Sequence, residues 1–177
     1  MPPPPAIPTA RAATISDAET LSRFAAAMFP LGAPADTDPA DLNAYIATAL
    51  TPRRFASYLK DPDRSIFLVE IDSNIAGYVM LARDHAHEMI AAEHPIELQK
   101  LYVDPVFHGR GVAAALMRAA IVEIDDPRHD AAWLSVHSEN PRAVAFYKKW
   151  GFEIVGTHRF LVGSDPQKDY VMRRSRE

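Results

Sequence analysis

The 177-residue sequence contains no cysteine. A chain without thiols has no disulfide framework, no thiolate metal site and no cysteine-centred covalent mechanism. It also has no apolar run near the roughly 18 residues that a membrane helix needs. The proline-rich opening has no charged segment followed by an apolar stretch, so it does not resemble a signal peptide. These absences fit a protein of the reducing cytoplasm, and that is the location we expect.

A basic excess is also lacking. The chain has 23 acidic and 19 basic residues, which give a formal net charge of −4. Nucleic-acid binding requires a basic face that neutralises phosphates, so neither a nucleic acid nor a membrane is an expected partner. The acidic balance instead favours a cationic ligand. The oligomeric state stays open, with a homodimer as one expectation.

The length and the proline distribution indicate one domain. A chain of 177 residues can bury one good core but hardly two. Four consecutive prolines follow the first residue. We therefore expect a disordered proline-rich tail over residues 1–9 and a single domain over residues 10–177.

Hydrophobic periodicity and capping residues predict an alternation of strands and helices. Expected strands lie at 10–15, 65–71, 75–82, 96–103, 132–137, 152–160 and 169–173, and expected helices at 18–28, 111–124 and 140–149. A further helical stretch is expected to start at Asp38 and Pro39 and to restart for a turn or two at Thr51 and Pro52 toward Leu59. Two helices thus precede a hairpin, and Pro30, Gly32 and Pro34 stop the first of them. This order predicts a mixed α/β (α+β) fold, in which a central sheet of about seven strands carries helices on both faces around a central βα unit.

Gly109 and Gly111 lie between a predicted strand end and a predicted helix start. Free backbone N–H groups and the positive end of the helix dipole make such a position suitable for phosphate oxygens. Arg110 adds a cation, and Ala113 and Ala114 leave the first helical turn uncrowded. The segment therefore predicts a nucleotide-phosphate site.

Other interpretations of this segment exist. Gly109, Gly111 and Ala114 also satisfy a G-x-G-x-x-A pattern, but a dinucleotide-binding fingerprint would begin directly at the end of the first strand of the sheet. A phosphate-binding P-loop would need Gly-Lys-Ser or Gly-Lys-Thr, and the sequence has neither. A glycine-rich turn that merely caps a helix remains as the alternative.

Two segments resemble the signature motifs of the GCN5-related N-acetyltransferases (GNAT). The first reads LQKLYVDP from Leu98 and HGRGVA from His108. The family motif there is Gln or Arg, two residues, Gly, one residue and then Gly or Ala, so His108 departs from it at the first position. The second segment reads NPRAVAFYKKWGF from Asn140. The resemblance covers nearly all of residues 10–173 and implies a GNAT fold that binds acetyl-CoA as co-substrate.

The resemblance also implies a set of cofactor-binding residues. The family strand that matches Leu101, Tyr102 and Val103 carries a bulge, and its backbone binds the pantetheine arm and polarises the thioester oxygen. Asn140 would bond to the same arm besides capping its helix, and Lys149 could reach a phosphate of CoA. The remaining residues of the implied set are His108, Gly109, Arg110, Gly111, Val112, Ala113 and Ala114.

Two residues are candidates for the chemistry. Tyr147 matches the family tyrosine near the thioester sulfur, where a phenol can protonate the departing thiolate; a packed core tyrosine is the other interpretation. Amine acceptors with a pKa near 10.4 need a base at neutral pH, and Glu97 on the central strand is the candidate. The family sometimes carries its base on the next strand, where this chain has Ser135, so a water relay is the alternative to Glu97.

A loop between two predicted strands contains residues that commonly bind metals. They are His85, His87, Glu88, Glu93 and His94. Their loose spacing favours a solvated loop beside the acceptor site over a metal centre, so no metal is expected.

Within the family, the sequence is most similar to the Pai-type bacterial polyamine acetyltransferases. The likeness rests on residues 42–59, 97–103 and 145–152, and on His158, Phe160, Gly163, Asp165, Gln167 and Asp169. It implies a primary amine acceptor, spermidine or spermine, that attacks acetyl-CoA directly in a ternary complex. The alternatives are a protein N-terminus or another small amine as acceptor, or an acyl-CoA sensor without activity.

Overall fold

Seven strands and five α-helices form the part of the chain that the computed structural model describes, which is residues 7–33, 37–162 and 165–175. The strands are β1 (Ala10–Ala12), β2 (Arg64–Ile71), β3 (Asn74–Arg83), β4 (Pro95–Val103), β5 (Ala131–His137), β6 (Glu153–Val162) and β7 (Asp165–Arg174). The helices are α1 (Ala18–Gly32), α2 (Pro39–Ala49), α3 (Pro52–Lys60), α4 (Val112–Ile124) and α5 (Pro141–Lys149).

The strands pair in one mixed sheet with the order β1-β2-β3-β4-β5-β7-β6. Within the described residues, β4 and β5 are parallel neighbours, and every other neighbouring pair is antiparallel. The helix α4 connects the parallel pair, as a crossover connection must. The predicted mixed α/β fold with a central βα unit is confirmed.

The hairpin of β2 and β3 agrees with its prediction and has a two-residue turn. Asp72 and Ser73 have φ angles of +51° and +63°, and Ile71 pairs with Asn74 on either side of them. Positive φ at both central residues matches the right-handed twist of the flanking strands. The turn therefore starts the antiparallel pairing of β2 and β3, whose register shifts once between Val69 and Glu70.

Three helices, rather than the two predicted, precede this hairpin. The predicted restart at Thr51 and Pro52 begins a separate helix, because Thr51 adopts an extended backbone with φ −90° and ψ 156°. A residue before proline avoids the α region, and Thr51 precedes Pro52. The Thr51 hydroxyl then accepts a hydrogen bond from the Arg54 N–H and caps α3. The interruption thus both ends α2 and starts α3.

The predicted end of the first helix was also wrong, because α1 continues through Pro30 to Gly32. A proline in the last turn removes one backbone hydrogen bond but leaves the earlier turns intact. The helix ends where Ala33, which precedes Pro34, becomes extended. At the other end, β1 stops at Ala12 rather than at residue 15.

Both faces of the sheet are covered, as predicted, and each has its own core. Leu116 and Met117 of α4 pack on one face with Leu134 of β5, and α5 adds Tyr147 to this cluster. The opposite face of β2 and β3 is covered by α1 and α3, with Leu21 and Phe55 fully buried. We call these the α4 face and the α1 face.

Residues 1–6 of the predicted tail lie outside the described residues. Residues 7–9 lie in neither a helix nor a strand, and Pro8 lies near Gly111, with its Cδ 3.8 Å from the position of a Cβ on that glycine. No helix in the described ranges has the length and apolar character needed to cross a membrane.

Candidate active site

The parallel strands β4 and β5 pair over only three residues each. Residues 95–97 of β4 pair with residues 131–133 of β5, and this pairing ends at Glu97 and Trp133. In the described residues, no strand pairs with this edge of β4 from residue 98 onward. Backbone N–H and C=O groups along an unpaired edge need partners, so the second half of β4 presents a row of hydrogen-bonding groups to a ligand. We call this opening the β4 edge.

A bulge at Gln99 marks the start of the β4 edge. The pairing with β3 shifts register between Leu98 and Lys100, so Gln99 is the extra residue. Leu98 and Leu101, although three residues apart, both pack against the core of the α4 face. Glu97 and Lys100 accordingly belong to the α1 face. The bulge predicted from the family is present just before Leu101.

The predicted phosphate loop follows directly. Gly109 and Gly111 have φ angles of +77° and +82°, a region that favours glycine. Gly111 is the N-cap of α4, and no side chain in the described part of the chain caps this helix. The amides of Val112, Ala113 and Ala114 in the first turn are therefore available to phosphate oxygens.

His108 holds this loop to the neighbouring elements. Its Nε2 lies 3.3 Å from the backbone oxygen of Val103 at the end of β4. Its Nδ1 lies 3.0 Å from Nη1 of Arg142 in the first turn of α5. Arg110 is exposed, and its guanidinium lies 5.3 Å from the centre of the Phe107 ring. The structure thus gives His108 a role in positioning the loop.

The helix α5 places Asn140 and Tyr147 at different depths. The Oδ1 of Asn140 accepts a hydrogen bond of 3.0 Å from the Ala143 N–H and caps the helix. Tyr147 is 8% exposed within the core of the α4 face, and burial raises the pKa of its phenol well above the ordinary value. This phenol therefore holds its proton at neutral pH, and burial makes loss of that proton harder.

The predicted cofactor residues therefore converge, with one exception. The convergent residues are Leu101, Tyr102 and Val103 along the β4 edge; His108, Gly109, Arg110 and Gly111 in the loop; Val112, Ala113 and Ala114 in the first turn of α4; and Asn140 at the start of α5. Lys149 is exposed at the far end of α5. It lies about 10 Å along the helix axis from Arg142, which contacts the loop. The structure does not bring Lys149 to the phosphate loop.

Glu97 lies on the α1 face beside the β4 edge. Its Oε2 is buried and lies 2.7 Å from Nδ1 of His85 without the geometry of a hydrogen bond, and its side chain is 13% exposed. The His85 ring is parallel to the ring of Trp133, with the ring centres 6.2 Å apart. The Oγ of Ser135, two residues further along β5, is buried without a hydrogen-bond partner in the described structure. A water molecule bound there would satisfy it.

Lys100 also lies on this face, and no sequence motif pointed to it. Burial by itself lowers the pKa of Lys100, but the hydroxyls of Tyr102 and Tyr45, with a hydrogen bond to Tyr45, raise it above the ordinary value. Burial raises the pKa of the Tyr102 phenol in turn. The α1 face thus carries a retained ammonium beside Glu97.

A row of ionisable side chains extends from this face across the adjacent strands. No local sequence pattern indicates this row. Asp169 of β7 pairs with His137 of β5 on one side and with His158 of β6 on the other. The Nδ1 of His137 lies 3.5 Å from Oδ1 of Asp169. The Nδ1 of His158 lies 3.2 Å from Nε2 of His87. Strand alternation predicts that His137 and Ser135 share a face of β5, but it does not predict that Asp169 is the partner of His137 on the neighbouring strand.

The histidines of the loop before β4 have separate partners. His85 contacts Glu97, His87 contacts His158, and His94 contacts Asp84 at 3.0 Å. In the described residues, no group of three or more His, Cys, Asp or Glu side chains is arranged to hold a metal ion.

Comparison with known proteins identifies the family. A model of the acetyltransferase (GNAT) family matches residues 33–152. An uncharacterized N-acetyltransferase of Mycobacterium tuberculosis is 39% identical over 160 residues, which are 90% of this chain and 98% of that protein.

Solved structures show the same fold. The PaiA N-acetyltransferase from Thermoplasma acidophilum, in complex with coenzyme A, superposes with a TM-score of 0.76 at 20% identity over 96% of this chain and 99% of that one. NAA60 from Arabidopsis thaliana, in complex with acetyl-CoA, gives a TM-score of 0.73 at 17% identity over 95% and 98% of the two chains.

The family model covers more than half of the chain, and the mycobacterial relative matches it over nearly the full length of both. The β4 edge and the glycine loop agree with an acetyl-CoA site, since a thioester arm needs backbone partners and a pyrophosphate needs free amides. The chain belongs to the GNAT family of acetyltransferases, and it is an acetyl-CoA-dependent N-acetyltransferase.

Proposed function

We propose that the chain transfers the acetyl group of acetyl-CoA to a primary amine of a polyamine, such as spermidine or spermine. The observation that carries this proposal is the pair of shielded carboxylates on the α1 face. The side chains of Glu97 and Asp169 are 13% and 12% exposed, and each is accompanied by an imidazole. A polycationic acceptor would be attracted to these two carboxylates, because ammonium–carboxylate interactions are stronger when shielded from solvent.

The donor would bind along the opposite side of the site. Its pyrophosphate would bind the amides at Gly111, Val112 and Ala113, and its pantetheine arm would follow the β4 edge. Backbone N–H groups of Leu101 to Val103 that face the edge would polarise the thioester oxygen, as donors in an oxyanion hole do. Acetyl-CoA and the amine would then meet between β4 and β5, so that the amine attacks the thioester directly.

Tyr147 would complete the transfer on the donor side. As the amine nitrogen bonds to the acetyl carbon, the carbon–sulfur bond breaks and leaves a thiolate that needs a proton. Tyr147 matches the family tyrosine near the thioester sulfur, and its phenol is protonated at neutral pH, so it is the candidate donor. On the acceptor side, Glu97 is a candidate base, either through His85 or through a water molecule at Ser135.

A second acceptor class is favoured by one residue. The ammonium of Lys100 is held on the α1 face by Tyr45 and Tyr102. It would repel one end of a polyamine but would pair with the carbonyl groups of a peptide. Acetylation of a protein N-terminus is therefore the alternative that a test must include.

The test is an acceptor screen that follows release of the free CoA thiol. Purified chain and acetyl-CoA are combined with spermidine, spermine, diamines, aminoglycosides and short peptides. We expect the highest kcat/KM with spermidine or spermine. Turnover with peptides alone would reject the polyamine proposal in favour of N-terminal acetylation. Absence of turnover with every amine, together with tight CoA binding, would indicate a sensor.

Two variants at Gly111 test the donor site in the same assay. Gly111→Glu places charge and bulk at the loop, and we expect it to lose CoA binding in calorimetry. Gly111→Ala has the same unfavourable φ of +82° but adds only a methyl group, so it is the matched control for backbone strain, which costs about 1–2 kcal/mol. Normal CoA binding by Gly111→Glu would reject the loop as the phosphate site.

A further inference from the structure

His137 occupies a distinctive position at the mouth of the site. It is the last residue of β5, and its backbone oxygen accepts a hydrogen bond of 3.0 Å from the N–H of Asn140, the cap of α5. Leu134 and Val136 pack in the core of the α4 face. Because side chains alternate along a strand, Ser135 and His137 lie on the α1 face. His137 therefore lies on the acceptor side, beyond the point where β5 separates from β4.

Asp169 fixes the orientation of this imidazole. Its carboxylate lies 3.5 Å from Nδ1 of His137 and is 12% exposed, whereas the His137 side chain is 27% exposed. Burial raises the pKa of Asp169, while His137 opposes that rise. The Nε2 of His137 lies on the other side of the ring, 3.9 Å from the exposed carboxylate of Glu139. An imidazole whose Nδ1 donates to a carboxylate presents Nε2 as a proton acceptor.

We propose that His137 is the group that takes the proton from the acceptor ammonium, with Asp169 as its positioning residue. This inference rests on the proposed acetyl transfer to an amine. The ammonium gives one proton to Nε2 of His137 and becomes a neutral amine. The amine nitrogen bonds to the acetyl carbon, the carbon–sulfur bond breaks, and the second amine proton passes through Tyr147 to the thiolate. His137 then releases its proton to solvent.

The surroundings of the two candidate bases favour His137 over Glu97. The side chain of Glu97 is 13% exposed and its Oε2 is buried, so an acceptor ammonium reaches it less readily than it reaches the 27% exposed imidazole of His137. The Nδ1 of His137 faces the shielded carboxylate of Asp169, whereas its Nε2 has only the exposed Glu139 carboxylate at 3.9 Å. Imidazole also titrates closer to neutral pH than a carboxylate, which makes it the better match for an amine.

Charged groups around His137 come from three elements. Asp169 belongs to β7, Glu139 to the turn after β5, and His158 of β6 lies across Asp169. Asp169 lies 3.5 Å from Nδ1 of His137, and Glu139 lies 3.9 Å from its Nε2. The pH dependence of His137 is therefore tested together with Asp169→Asn, which removes the nearer carboxylate.

The experiment compares His137→Gln with His94→Gln. His94 also forms a histidine–aspartate pair, 3.0 Å from Asp84, but precedes β4 at the end of the strand away from the β4 edge. At pH 7 we expect His137→Gln to lower kcat/KM for the amine about 100-fold, the typical contribution of a general base. The KM for acetyl-CoA should stay unchanged. Without the base, kcat/KM should rise about tenfold per pH unit toward the pKa of the amine, about 10.4.

An acceptor that is already neutral separates a base from a merely structural residue. With an arylamine, which needs no deprotonation at pH 7, His137→Gln should retain wild-type kcat/KM. Equal loss with both acceptors, or a pH profile identical to the wild-type profile, would overturn the inference. If His137→Gln does not fold, Asp169→Asn is the test. It should lower kcat/KM for the alkylamine and leave kcat/KM for the arylamine unchanged.

The outcomes also separate this inference from the proposed function. Lack of amine acetylation by the wild-type chain would reject the proposed function. If Glu97→Gln lowers kcat/KM for the alkylamine but not for the arylamine, and His137→Gln changes neither, the proposed function is kept and His137 is rejected as the base.

Discussion

Gly77 of β3 is the position where one methyl group should affect both stability and cofactor binding. Gly77 pairs with Val103 on β4 and lies beneath the first turn of α4. A Cβ at this residue would lie 2.7 Å from the backbone oxygen of Tyr102 and 3.1 Å from both Leu116 Cδ1 and Val112 Cγ1. The first of these atoms is backbone of the β4 edge, which cannot rotate away as a flexible side chain can.

The size of the effect follows from these contacts. Overpacking of a well-filled core costs about 1–3 kcal/mol. For a domain of this length, each kcal/mol lowers Tm by about 2–4 °C, so Gly77→Ala should lower Tm by about 2–12 °C. The strain would be relieved by moving α4 or the β4 edge outward, and both carry proposed acetyl-CoA contacts. We therefore also expect a higher Kd for CoA.

Calorimetry measures both quantities, with Gly32→Ala as the matched control. A Cβ on Gly32 would lie 3.5 Å from Cε1 of Tyr102, an ordinary van der Waals contact. That variant should keep its Tm or gain slightly, because alanine reduces the entropy of the unfolded chain. An unchanged Tm and an unchanged Kd for CoA in Gly77→Ala would refute the packing argument.

Two further predictions concern Tyr147 and Asp17. Tyr147→Phe should lower kcat while the Kd for acetyl-CoA stays near the wild-type value, and unchanged turnover at several pH values would refute the role as acid. Two hydrogen bonds of 2.9 Å from Arg11 hold the pKa of Asp17 well below its usual range. The stability that this pair contributes is present above the unfolded pKa of about 3.9 and is lost as pH falls below that value. Asp17→Asn should therefore flatten the acid side of the profile of unfolding free energy against pH, measured by urea titration. Parallel profiles for the two proteins would contradict this.

Local patterns in the sequence predicted the donor side of the site well. Gly109 and Gly111 stand where a strand ends and a helix starts, and both adopt the positive φ that such a loop needs. The cap formed by Asn140 was likewise predictable, because Asn followed by Pro is a local helix-start signal. These features depend on neighbours within a few residues.

The acceptor side depends on contacts that no local pattern encodes. The row of His137, Asp169 and His158 exists because β7 lies between β5 and β6. Sequence order alone would place β6 beside β5, and then Asp169 would have no contact with His137. The same holds for Glu97 and His85, which meet only because the loop before β4 folds back over Trp133.

The bulge at Gln99 explains how one strand can serve both substrates. Strict alternation would place Leu98 and Leu101 on opposite faces of β4, and one of them would leave the core of the α4 face. With one extra residue, both pack in that core while Glu97 and Lys100 share the α1 face. The strand can thus keep the donor side rigid through its buried leucines and still present charged groups to the acceptor. Deletion of Gln99 should therefore remove only the bulge: Leu98 and Leu101 would then be two positions apart, as would Glu97 and Lys100, so alternation would keep each pair on its present face.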